Sequence, residues 1–119
     1  MNSSLLRATL IMACVTSAQL AFAHARPEQQ SPMPDATVDA PHEVSIDFSE
    51  GLEPAFSTLV VIDATGKHVE TTKASVDPTN KKHMSVPLGN IAMGAYQVEW
   101  TAVAEDGHRT QGRYLFNVK

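Results

Sequence analysis

From residue 43 to the end of the chain, apolar side chains recur at every second position in several short runs. Val44, Ile46 and Phe48 alternate with Glu43, Ser45 and Asp47, the period of a strand with one face buried and the other wet. Met84, Val86 and Leu88 alternate with His83 and Ser85. Tyr96, Val98, Trp100 and Ala102 alternate with Gln97, Glu99 and Thr101, the clearest strand of all. Tyr114, Phe116 and Val118 close the chain in the same manner. Thr58 to Ile62 breaks the pattern, being continuously β-branched or apolar, which predicts a more central strand.

Turn-forming residues separate these runs at Pro32–Asp35, Asp63–Gly66, Asp77–Asn80, Gly89–Gly94 and Asp106–Gly112. Gly51 to Ala55 has room for one short helical turn, and no longer helical period intervenes. Short strands at such close spacing predict an all-β fold of about seven strands, an immunoglobulin-like Greek-key sandwich or barrel. There is no internal repeat, low-complexity tract or interdomain linker.

The first 23 residues read differently. Arg7 precedes a nearly uncharged run of small and apolar residues, and Ala21-Phe22-Ala23 offers the small-x-small pattern cut by signal peptidase. The run is short for a membrane span and no stop-transfer pattern follows. A lipoprotein cut before Cys14 is rejected, since it would leave only about six apolar residues after Arg7. Residues 1–23 are therefore expected to be a cleaved signal peptide, and residues 24–119 a single exported, periplasmic domain. The only cysteine, Cys14, leaves with the leader. The exported domain must rest on its apolar core without a disulfide.

Composition narrows the function classes. With 119 residues the chain has room for one domain. Nine Lys and Arg against thirteen Asp and Glu give a net charge of −4, and no basic run exceeds Lys81-Lys82. Nucleic acid and anionic membranes both demand clustered positive charge, so neither is an expected partner. No G-x-S-x-G elbow, Walker sequence or G-x-G-x-x-G is present. Hydrolase and nucleotide-binding readings have no support, and no enzymatic activity is expected.

The candidate chemistry lies in the five histidines. Cleavage after Ala23 would make His24 the first residue, whose free α-amine and imidazole can close a chelate ring on one metal ion. Far along the chain, Asp106-Gly107-His108 sets a carboxylate and an imidazole two positions apart, on one face if extended, while Gly107 permits unusual backbone angles if looped. Three nitrogens and one oxygen suit a tetragonal Cu(II) ion, and divalent copper heads the affinity series for such donors. Taken alone, Asp-Gly-His is also an ordinary solvated turn. His42, beside Pro41, and His83, on the polar face of its strand, read as exposed. His68 follows the Asp63–Gly66 turn and is ambiguous. Met84 falls on a core face, and Met33 and Met93 are isolated in turns.

Several segments together resemble the periplasmic copper-resistance CopC family over nearly the whole exported domain. They are His24; Ser31-Pro32 with Asp35; Ile46-Asp47-Phe48-Ser49-Glu50; Leu52 with Phe56-Ser57; Gly94 to Trp100; and, most specific, Glu105-Asp106-Gly107-His108-Arg109-Thr110-Gln111-Gly112. The resemblance implies an immunoglobulin-like domain that binds one Cu(II), with His24, Asp106 and His108 as ligands. It also implies a monomeric carrier or buffer in copper resistance and homeostasis, able to hand copper to a CopD-type inner-membrane transporter. Some members add a Cu(I) site on a methionine-rich loop. The matching stretch here, Asp63 to Thr72, holds His68 and no methionine, which argues against Cu(I) because that soft ion selects sulfur. Arg26-Pro27-Glu28 is a second departure, from a more apolar opening. Two rival readings are a copper-dependent oxidative enzyme built on a histidine brace and a metal-free β-sandwich interaction domain.

Overall fold

The computed structural model describes residues 24–119; the leader expected at 1–23 lies outside the described residues. Eight strands are formed: β1 (Pro27–Ser31), β2 (Thr37–Val38), β3 (Glu43–Phe48), β4 (Thr58–Asp63), β5 (Ser75–Asp77), β6 (Asn80–Pro87), β7 (Gly94–Val103) and β8 (Arg109–Val118). They make two four-stranded sheets, ordered β1-β3-β6-β5 and β2-β8-β7-β4. Only β5–β6 and β7–β8 are neighbours both in sequence and in a sheet. Every other connection crosses between the sheets, which gives the sandwich its Greek-key character. The all-β expectation holds.

Alternation does the work. The core-facing residues of β3, β6, β7 and β8 are the apolar set read from the sequence, and Val44, Ile46, Met84, Val86, Val98 and Phe116 are completely buried. Each such side chain contributes roughly 1.5–3 kcal/mol of transfer free energy. Phe48 and Trp100 meet edge to face across the two sheets, with ring centroids 5.2 Å apart. Tyr96 stacks on Phe116 at 5.4 Å and donates its hydroxyl to the Ala92 carbonyl.

The differences from the sequence pattern have physical causes. Eight strands form against about seven expected: beyond the five runs read from the pattern, Pro27–Ser31, Thr37–Val38 and Ser75–Asp77 are recruited by pairing with β3, β8 and β6 and not by any periodicity of their own. Thr58–Ile62 is an edge strand, not a central one. Its free side is covered by the following loop: Val69 N–H donates to the Val61 carbonyl, and the Glu70 carboxylate accepts the Val61 N–H. That cover lets an edge carry apolar residues on both faces. β8 begins at Arg109, so the turn expected over Asp106–Gly112 closes sooner. The helical turn occurs slightly later than expected, where the Glu53 carbonyl accepts both the Phe56 and Ser57 N–H groups. His83, expected on the open face, is half-buried and bonded to Asp47 at 2.6 Å.

One end of the sandwich gathers three segments. Residues 24–26 run along the end of β3, where Ser49 N–H donates to the Arg26 carbonyl. The loop after β3 lies against the end of β7, through Leu52 paired with Ala104 and Glu53 N–H on the Val103 carbonyl. The β7–β8 turn completes the group, with Glu105 N–H on the Gly51 carbonyl.

Gly112 lies opposite Trp100 in the β7–β8 ladder, and a Cβ there would sit 2.5 Å from the indole. Gly112→Ala is expected to displace the ring and cost about 1–3 kcal/mol. Urea unfolding, followed by the fluorescence of this single tryptophan, measures both; an unchanged midpoint and emission would contradict the packing.

Candidate metal centre

The β7–β8 turn is tight. Ala104 N–H donates to the His108 carbonyl and Gly107 N–H to the Ala104 carbonyl, while Gly107 adopts φ 88°, a left-handed conformation open to glycine at little cost. Asp106 locks the turn from within. One carboxylate oxygen accepts the His108 N–H at 3.0 Å, and the other lies 2.9 Å from His108 Nδ1. With Nδ1 engaged, Nε2 is the ring nitrogen left for another partner. Both side chains are substantially exposed.

The start of the described chain is brought to this turn. His24 lies with its ring centroid 5.2 Å from that of His108, the planes inclined at 68°. Two hydroxyls hold the backbone behind it. Ser49 donates to the His24 carbonyl and accepts the Arg26 N–H, both at 3.1 Å, and Thr110 donates to the Ala25 carbonyl at 2.6 Å. Between them Ala25 is completely buried.

The remaining histidines are elsewhere. His68 is exposed and 2.6 Å from Glu70; His83 pairs with Asp47; His42 is exposed and offers its backbone carbonyl to Leu88. Carboxylate–imidazole pairs are thus common in this domain, and only His108 has a second imidazole against it. No three His, Cys, Asp or Glu side chains among the described residues gather closely enough to hold an ion by themselves. The side chains at this end supply two imidazoles and a carboxylate turned toward one of them. Of the residues singled out from the sequence, His108 contacts the other two, with the His24 ring at 5.2 Å between centroids and an Asp106 carboxylate oxygen 2.9 Å from Nδ1. Ser49 and Thr110 were visible only as parts of longer motifs. Thr110 stands 85 positions from Ala25, and no local pattern points from one to the other.

Asp106 is held below the ordinary carboxylate range, first by the His108 ring, then by the His108 N–H, with the charge of His108 and of His24 adding to the effect. A carboxylate that stays ionised suits a cation site.

A small two-sheet sandwich with two imidazoles in ring contact at one end defines a β-domain that presents nitrogen donors at its surface. Comparison with known proteins narrows this further. The CopC domain family matches residues 27–119, and the chain belongs to that family. "Protein YobA" of Escherichia coli K12 is 36% identical over 100 residues, covering 82% of this chain and 81% of its own. "Copper resistance protein C" of Escherichia coli is 30% identical over 128 residues, covering 100% and 98%. "Copper transport protein CutJ" of Bacillus subtilis is 32% identical over 111 residues, which is 92% of this chain but only 20% of CutJ. Among solved structures, CopC from Methylosinus trichosporium OB3b superposes with a TM-score of 0.75 at 31% identity, over 81% of this chain and 94% of that one. PcoC from Escherichia coli, titled a methionine-rich copper resistance protein, gives 0.69 at 31%, over 82% and 100%.

Because the Asp106 pKa is lowered in the fold, its bonds to His108 persist above the ordinary carboxylate pKa of about 3.9 and are lost as pH falls through the lower folded value. An NMR titration of the Asp106 carboxyl carbon, without metal, is expected to give a midpoint below about 3.9. A midpoint at or above that value would contradict the described bonding.

Proposed function

We propose that this protein is a periplasmic Cu(II)-binding protein of copper resistance and homeostasis, which carries or buffers one Cu(II) per chain and performs no catalysis. The observation that carries the reading is the juxtaposition of His24 and His108 beside Asp106, among five histidines that otherwise stand apart. Export and cleavage after Ala23 would add the α-amine of His24 as a further nitrogen donor. Copper then takes the amine and imidazole of His24 as a chelate and the imidazole of His108. Asp106 supplies carboxylate charge and holds the His108 ring, so that the ion meets donors already oriented.

The family membership and the relatives named for copper resistance support copper as the cargo. Handover to a membrane transporter of the CopD type is supported by CutJ, in which a segment like this chain occupies one-fifth of a longer copper transport protein. The protein acts as a monomer in this reading. Cu(I) is not a favoured cargo. In the described residues Met84 is buried in the core, Met33 and Met93 stand exposed on separate loops, and residues 63–72 contain none. No pair of thioethers is offered to a soft ion. His68, bonded to Glu70 on that loop, supplies no sulfur.

The processed protein is expected to bind one Cu(II), with nitrogen hyperfine structure in its EPR spectrum. Binding displaces protons from donors that ordinarily titrate at about 6.5 (imidazole) and 7.7–8.0 (α-amine), so affinity is expected to fall steeply on acidification. No binding, or affinity constant from pH 8 to about pH 5, would defeat the assignment.

Substitution and extension separate the donors. His108→Ala, or one extra residue left before His24, is expected to cost more than the ~10–100-fold typical of losing a supporting partner. His42→Ala and His83→Ala are expected to leave Cu(II) affinity within about twofold, since ~0.4 kcal/mol is within the range of ordinary surface substitutions. Asp106→Asn is expected to fall between. Competition against a Cu(II) chelator ranks all five, and equal affinities throughout would refute the ligand set.

A further inference from the structure

The first residues of a domain are ordinarily loose unless something ties them down. Here the tie is specific. Consecutive carbonyls, those of His24 and Ala25, are each taken by a different hydroxyl, Ser49 from the end of β3 and Thr110 from the start of β8. Ser49 also receives the Arg26 N–H on its side chain while its own N–H donates to the Arg26 carbonyl. This closes the β1–β3 ladder one residue beyond its formal end. The Ala25 methyl is sealed between the two contacts. Thr110 follows His108 by two residues in the chain, so the group that holds Ala25 is joined to the proposed ligand through Arg109 alone.

We infer that Ser49 and Thr110 are positioning residues for the copper site: a two-hydroxyl clamp that sets His24 against His108 before the metal arrives. This rests on the copper reading above and adds to it residues that touch no metal. Neither hydroxyl lies within the proposed donor set, and both act on backbone, so their contribution is independent of which ring nitrogen of His24 binds. Without the clamp, the backbone of His24 and Ala25 must be ordered at the moment of binding. Fixing one residue's backbone corresponds to roughly 5- to 30-fold in an equilibrium constant, and outer-shell partners of metal ligands typically matter by ~10–100-fold. The clamp also fixes the register of the chain start. A chain slipped by one residue would offer these hydroxyls the carbonyls of other residues and carry the His24 imidazole away from His108.

The test uses protein exported with its own leader and processed by the host, with Thr110→Val, Thr110→Ser, Ser49→Ala and His24→Ala, the last also combined with Thr110→Val. Cu(II) affinity is measured by chelator competition, the coordination by EPR, and stability without metal by thermal unfolding. Thr110→Val is expected to weaken Cu(II) binding ~10-fold or more and to broaden the copper hyperfine lines through mixed geometries. Thr110→Ser, which keeps the hydroxyl, is expected to restore both. Ser49→Ala is expected to act in the same direction. In the His24→Ala background Thr110→Val is expected to change the residual affinity by a smaller factor than in the parent, because the clamp then has only the α-amine of residue 24 left to place. Should Thr110→Val lower the melting temperature while leaving affinity and spectrum at parental values, or weaken binding equally with and without His24, the positioning role is overturned and the contact is structural only. Should the parent bind no Cu(II), the copper reading itself falls and the clamp's role with it.

Discussion

The arrangement depends on one constraint, the fixing of residues 24–26 against the last hairpin. Ala25 is buried completely and its carbonyl is bonded to Thr110, so the segment carrying His24 is part of the core packing rather than an arm hung beside it. A buried carbonyl without a partner is costly, which makes the Thr110 hydroxyl an obligatory answer to the burial of Ala25. Once both are in place, the ring of His24 has little choice but to lie at the β7–β8 turn.

The sandwich supplies the rigidity that such a contact needs. Phe48 and Trp100 interlock across the sheets, immediately inside the end where Ser49 meets His24. Trp100 in turn requires the absence of a side chain at Gly112, four residues beyond His108. Aromatic packing, a glycine and the turn that carries Asp106 and His108 thus occupy one continuous stretch of β7 and β8. Side chains in a close-packed interior transmit displacement rather than absorb it, so the site is only as well defined as this end of the core.

The chemistry follows from proximity more than from unusual residues. Three imidazoles in the domain have a carboxylate at hydrogen-bond distance, on three different parts of the surface. Such a pair by itself orients a ring and little more. At His108 the pair is joined by a second imidazole, that of His24, so the carboxylate orients one ring beside another.

Much of this was legible in the sequence because burial on one face imposes period two, and period two survives in any order of strands. The inward residues of β3, β6, β7 and β8 could be named from alternation alone, and Asp106-Gly107-His108 announced its own turn because an Asx turn and a left-handed glycine are local devices. His24 stood out through its place after Ala23 and its resemblance to a known family. Whatever depends on partners distant in sequence was not legible. Thr58–Ile62 looked central because its run is apolar on both faces, whereas β7 pairs it along one edge only and the loop at residues 67–70 covers the other. Pro27–Ser31 carried no periodicity and became a strand only because β3 offered an edge. His83 looked exposed because alternation assigns it to the outer face, whereas Asp47 on the next strand half-covers it. Local pattern determined which residues point inward; only the tertiary structure decided which hydroxyls hold Ala25 and His24, since a hydrogen bond across the fold leaves no trace in the spacing of either end.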